Sequence, residues 1–104
     1  ALDAVRAWAA AWSTRQVDAV MQAYSASFQA PGVGGADTYL SLVRQQVERG
    51  TSPEAQLEDL TSNTISADRR LVTFTQRFGD EAVRKELTMA REGNAWRIVA
   101  ERTL

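Results

Sequence analysis

Apolar residues recur at helical spacing through the first half of the chain and switch to alternation after about residue 57. Leu2, Val5, Trp8, Ala9 and Trp12 form one stripe, with Asp3 and Arg6 on the other side. Ser13-Thr14-Arg15-Gln16 has the form of a capping box, in which the Ser13 hydroxyl accepts from a backbone amide and Gln16 reaches back. Val17, Val20, Met21 and Tyr24 predict a second helix folded back on the first, and Phe28 carries that side into an extended piece. Pro31-Gly32-Val33-Gly34-Gly35 breaks the pattern, and because no Lys-Ser/Thr follows it reads as a loop and not a phosphate cradle. Asp37 is placed to cap a third helix that buries Leu40, Val43 and Val47, flanked by Tyr39 and Leu42. Gly50 and Pro53 end it.

From Leu57 onward the spacing predicts four antiparallel strands in a meander. Leu57–Ile65 alternates poorly, as a bulged strand does. It turns at Ala67-Asp68-Arg69 into Leu71–Phe78. Gly79-Asp80-Glu81 leads into Val83–Arg91, and Gly93-Asn94 into Trp96–Leu104. Pairing Phe78 with Val83 sets Gln76 against Lys85, Phe74 against Leu87 and Val72 against Met89. Pairing Glu92 with Ala95 sets Met89 against Ile98, Leu87 against Ala100 and Lys85 against Arg102. This register collects Val72, Phe74, Phe78, Val83, Leu87, Met89, Trp96 and Ile98 on one face. It leaves Thr73, Thr75, Arg77, Arg84, Glu86, Thr88, Arg97 and Glu101 on a wet face. The expected fold class is α+β, three helices packed on a four-stranded sheet.

Composition narrows the function. A chain of 104 residues with 44% hydrophobic and 24% charged residues is long enough for one cored domain and too apolar for disorder. Twelve basic against thirteen acidic residues leave a net charge of −1, so no global field draws nucleic acid or an anionic membrane. No apolar run approaches the ~20 residues of a membrane-spanning helix. With neither cysteine nor histidine, thiol nucleophiles, Cys/His zinc sites and histidine acid–base chemistry are excluded, and no metal or cofactor is expected.

Several segments together carry a likeness: Ala7-Trp8-Ala9-Ala10-Ala11-Trp12-Ser13, Val17-Asp18, Tyr24-Ser25, Val72–Phe78, Lys85-Glu86-Leu87, and Trp96-Arg97-Ile98 ending in Glu101. In this order and spacing they resemble the nuclear transport factor 2-like superfamily. The nearest branch is the SnoaL-like domains appended to bacterial L,D-transpeptidases and tetratricopeptide-repeat envelope proteins, although Gln16 stands where that branch usually has an acid. The resemblance implies a cone-shaped fold, its curved sheet wrapped around helices with a pocket at the wide end. It also implies a bacterial envelope setting as one part of a longer protein, in keeping with a first residue that is Ala1 and not Met.

Enzymes of the superfamily typically place an acid or histidine inside the cone as a general base. On the expected register the inward polar residues are Gln76, Lys85 and Arg102, and Asp59 on the irregular strand is the one acid left open. The domain is therefore read as a non-catalytic accessory or protein-interaction domain. The alternative is a small-molecule binder in which Lys85 and Arg102 receive an anionic group beside Gln76, with Tyr24, Phe74 and Trp96 lining the cone. Both cations can equally sit at a solvent-open rim, and the aromatics can equally be core. A protein partner or neighbouring domain, an anionic small molecule, and a monomer or weak dimer through the outer sheet face are the expected associations.

Overall fold

The computed structural model describes residues 2–30, 35–49, 56–78 and 80–104. The Pro31-Gly32-Val33-Gly34 stretch, the Gly50 and Pro53 stop and the Gly79 turn lie outside these residues, as does the side chain of Phe78. Three helices and five strands follow in the order α1 (Leu2–Ser13), α2 (Val17–Gln22), β1 (Tyr24–Gln29), α3 (Gly35–Arg49), β2 (Gln56–Ser66), β3 (Arg69–Phe78), β4 (Glu81–Glu92) and β5 (Ala95–Thr103).

The sheet has five strands, not the expected four. Its order is β1-β5-β4-β3-β2, the last four forming the antiparallel meander while β1 joins β5 in parallel. Tyr24 and Phe28, both buried, are four residues apart, a spacing that suits either a helix face or one face of a strand. Pairing with β5 decides for strand, beginning where the Ile98 amide donates to the Ala23 carbonyl at 2.8 Å. Without β1, β5 would be an open edge.

Ser13–Gln16 ends α1 and does not cap α2. The Gln16 amide donates to the Ala11 carbonyl at 2.8 Å and the Arg15 amide to Trp12 at 3.1 Å, with Arg15 left-handed at φ 59°. That is the Schellman arrangement, and α2 has no side-chain cap. The Arg15 guanidinium also donates to the Glu48 carbonyl, tying the end of α1 to the last turn of α3. At the other end of α3, the helix begins at Gly35 (φ +78°), two residues ahead of the expected cap, and Asp37 sits in the first turn. A carboxylate there still favours the positive helix end.

The bulge expected in β2 is present between Glu58 and Thr61, where Asp59 adopts φ 54°. Asp59 is exposed and contributes nothing to the interior. Replacing Asp59 with Val, a β-branched residue poorly suited to that conformation, should cost roughly 1–2 kcal/mol in chemical denaturation.

The β3–β4 register differs from the expected one by two residues: Phe78 pairs with Glu81, Gln76 with Val83, Phe74 with Lys85 and Val72 with Leu87. Because side chains alternate with period two, a shift of two keeps every residue on its face. Val72, Phe74, Leu87, Met89 and Ile98 are accordingly buried, packed with Val5, Trp8 and Ala9 of α1, Val20 of α2 and Val43 and Val47 of α3. Trp96 is only half-buried at the margin of this core.

Candidate functional site

A bulge in β5 builds the site. Met89 pairs with Ile98, but the next residue of β4, Thr88, pairs with Ala100, so Val99 is extra. Beyond it the faces of β5 exchange. Leu87 is opposite Glu101, Glu86 opposite Arg102 and Lys85 opposite Thr103. Glu101, expected on the wet face, is therefore inward, with a side chain only 4% exposed. Arg102, expected inward, points outward at 66% exposure and meets the Glu86 carboxylate at 2.9 Å.

On the inner face Gln76 (β3), Lys85 (β4) and Glu101 (β5) meet Trp8 and Trp12 of α1 and Tyr39, Leu42, Val43 and Gln46 of α3 around a cavity of about 240 Å³. Lys85 Nζ lies 3.9 Å from Glu101 Oε2. At that separation their attraction does not offset the lost hydration, so both are pushed toward neutrality. Burial raises the Glu101 carboxyl from its usual 4.5 to about 7, and burial lowers the Lys85 ammonium below its usual value. Burial, then the Glu101 carboxylate, raises the Tyr24 phenol far above its normal range, so it stays protonated. The Trp8 indole opposes that shift without reaching hydrogen-bond geometry to the hydroxyl.

Four buried polar atoms near this point have no hydrogen-bond partner among the described residues: Trp8 Nε1, Trp12 Nε1, Tyr24 Oη and Gln76 Oε1. Each such group costs about 1–3 kcal/mol if left unmatched. Three of the four belong to residues that line the cavity, Trp8, Trp12 and Gln76, while Tyr24 lies beneath it in the core.

The six residues singled out from the sequence divide. Gln76 and Lys85 line the cavity. Phe74, fully buried, lies in the core with its ring centroid 6.3 Å from that of Trp8. Tyr24 is buried edge-on to Phe28 at 5.0 Å, its hydroxyl unpartnered. Trp96 instead borders a separate shallow groove with Ala4, Ala7 and Arg97, the Arg70 guanidinium 6.0 Å from its ring. Arg102 belongs to the outer face. Glu101 was missed, and one signal could have found it. The straight register set Lys85 directly against Arg102, a repulsive pair, whereas one extra residue in β5 gives both cations an acidic neighbour. Among the described residues no cluster of three or more acidic side chains could hold a metal ion.

The fold, a five-stranded sheet with three helices, is NTF2-like, matching solved NTF2-like structures over nearly the whole chain. The chain is similar to Bdellovibrio bacteriovorus Bd1075 (TM-score 0.80, 19% identity), which it matches over 96% of its own length and 38% of that chain. An NTF2-like protein of unknown function from Pseudomonas putida KT2440 is similar at TM-score 0.77 and 18% identity, over 97% of this chain and 80% of that one. A Novosphingobium aromaticivorans protein provisionally named a scytalone dehydratase is similar at TM-score 0.69 and 13% identity, over 98% and 80%. No protein-family model and no curated protein matches the sequence.

Proposed function

We propose that this domain binds a small molecule in the cavity between α1, α3 and the sheet, without turning it over. The observation that carries this is that Trp8, Trp12 and Gln76, each with an unpartnered buried polar atom, line one cavity together with the Lys85–Glu101 pair. Ligand sites are mostly apolar concavities with a few convergent polar groups, and Trp8, Trp12, Leu42 and Val43 supply the apolar share. An engineered cavity of ~150 Å³ holds benzene, so a volume of about 240 Å³ suits a ligand built on one ring with a polar substituent. Turnover is left out of the proposal because Glu101, although burial raises it into the range that suits a general base, is the one carboxyl on the cavity among the described residues and no histidine stands beside it.

The test is a fragment screen read on the indole N–H resonances of Trp8 and Trp12. Hits should shift both and leave Trp96 unmoved, and Gln76→Ala should weaken them by roughly tenfold, as loss of one buried hydrogen bond implies. Shifts confined to Trp96, or no hit of any charge, overturn the cavity as the site. Conversion of a bound fragment over hours overturns the non-catalytic part.

A second reading is favoured by the Bd1075 match. This chain covers 38% of that one, so there the fold is one part of a longer polypeptide. An accessory role beside a neighbouring domain or protein partner, in a bacterial envelope protein, fits that arrangement. It is compatible with an occupied cavity. Titration of the domain with candidate partner domains, with a rise in its unfolding temperature as the expected result and no change as the opposing one, tests it.

A further inference from the structure

The polar groups of the cavity are few. Its donors are the Lys85 ammonium, the amide N–H₂ groups of Gln76 and Gln46 and the Tyr39 hydroxyl. Against them stand one carboxylate, Glu101, and the amide oxygens of Gln76 and Gln46. Lys85 is the one charged donor among them, and a protonated Glu101 adds an O–H, so the site favours a ligand that brings an acceptor group. The ring-sized apolar wall of Trp8, Trp12, Leu42 and Val43 favours a compact hydrophobic body behind that acceptor group.

Charge then constrains the site further. Lys85 and Glu101 together are neutral, and an oxyanion drawn to Lys85 would sit close to the Glu101 carboxylate, whose nearest cation is that same lysine 3.9 Å away. Two carboxylates in one poorly hydrated site share a proton more readily than they both ionise. We propose that the cavity takes a small monocarboxylate with an apolar ring, and that Glu101 takes up one proton as this anion binds.

The proposal rests on the cavity being a ligand site and adds the ligand's charge and its coupling to pH. The groups facing Glu101 are Lys85 from β4, Gln76 from β3, Tyr24 from β1, Tyr39 and Gln46 from α3, and the two indoles of α1. On its outer side Glu101 also borders a shallow hollow with Glu86 and Arg102, which already pair with each other at 2.9 Å. Lys85 is thus the one cation inside the cavity among the described residues, and Glu101 the one carboxyl. The burial that lifts Glu101 to about 7 places its titration where a second negative charge moves it through neutral pH.

Isothermal titration of the intact domain with benzoate, benzamide and benzylamine tests this, run between pH 6 and 8.5 in buffers of different ionisation heat. Benzoate should bind at least tenfold more tightly than its neutral and cationic analogues at pH 6. Its Kd should be level below about pH 7 and weaken toward tenfold per pH unit above it, with close to one proton taken up per benzoate at pH 8. Glu101→Gln should bind benzoate with no proton uptake and a flat profile, and Lys85→Met should lose most of the affinity. Benzamide binding as well as benzoate, no proton uptake by the wild type, or uptake surviving in Glu101→Gln would each overturn the proposal. Failure of all three compounds also overturns it, and the fragment screen then separates a wrong ligand class from a wrong site, since neutral hits on the Trp8 and Trp12 resonances would leave the cavity standing.

Discussion

Replacing Phe74 with Ala should lower the unfolding free energy by about 3–5 kcal/mol. Phe74 is fully buried at the middle of β3, with Trp8 on the helix side and Val72, Leu87, Met89 and Ile98 in the same core cluster. Truncation removes a whole ring from contacts contributed by both layers. The surrounding strands are paired on both sides and cannot close the gap. Against a stability of about 5–15 kcal/mol for a domain of this kind, that loss is at least a fifth of the total. Urea denaturation followed by tryptophan fluorescence measures it. Trp96→Ala, at a half-buried position on the same face, should cost clearly less. A Phe74→Ala loss below about 1 kcal/mol would mean that the inner face of the sheet has been assigned wrongly.

The second large effect is a dependence of stability on pH that belongs to Glu101. Its carboxyl titrates near 4.5 in the unfolded chain and near 7 when folded, raised by burial. Between those values the folded state holds more protons than the unfolded one, so stability falls as pH rises. The contribution is fully present below about 4.5, declines through the window and levels off above about 7. Its full size is of order 3 kcal/mol, from about 1.4 kcal/mol per unit. Lys85 acts in the opposite sense. Burial lowers its ammonium titration, so stability recovers as pH rises from that lowered value toward its usual 10.5. Glu101→Gln should leave stability at pH 4.5 nearly unchanged and raise it at pH 8, and the difference between the two urea-denaturation profiles isolates this group. A difference that does not change between pH 4.5 and 8 would show that Glu101 is not buried as a poorly hydrated acid.

Much of the architecture was legible along the chain, and the failures share a cause. Helical periodicity placed α1 and α3, and alternation placed β3, β4 and the part of β5 up to Ile98 on their correct faces. Each of those signals is a local consequence of backbone geometry acting on apolar side chains. Tyr24 and Phe28 were ambiguous because a spacing of four suits both periods, and pairing with β5 resolved it. The β3–β4 register was ambiguous because segregation is blind to a shift of two. The observed register instead pairs Phe78 with Glu81 and Val72 with Leu87.

The site lay beyond these signals. Gln76 and Lys85 were found because their strands run straight. Glu101 and Arg102 were assigned to each other's faces because one extra residue at Val99 reverses every side chain after it. Apolar alternation carries no mark of that bulge, since Ile98 and Val99 are both buried. The residues of this chain therefore determined by themselves that helices would pack on an antiparallel meander around Phe74 and Leu87, because burial periodicity is a property of consecutive residues. Only the tertiary structure decided that an acid would face Lys85 inside the cavity, because that depends on how β5 meets β1 and β4 at once, and on which charges that meeting brings opposite each other.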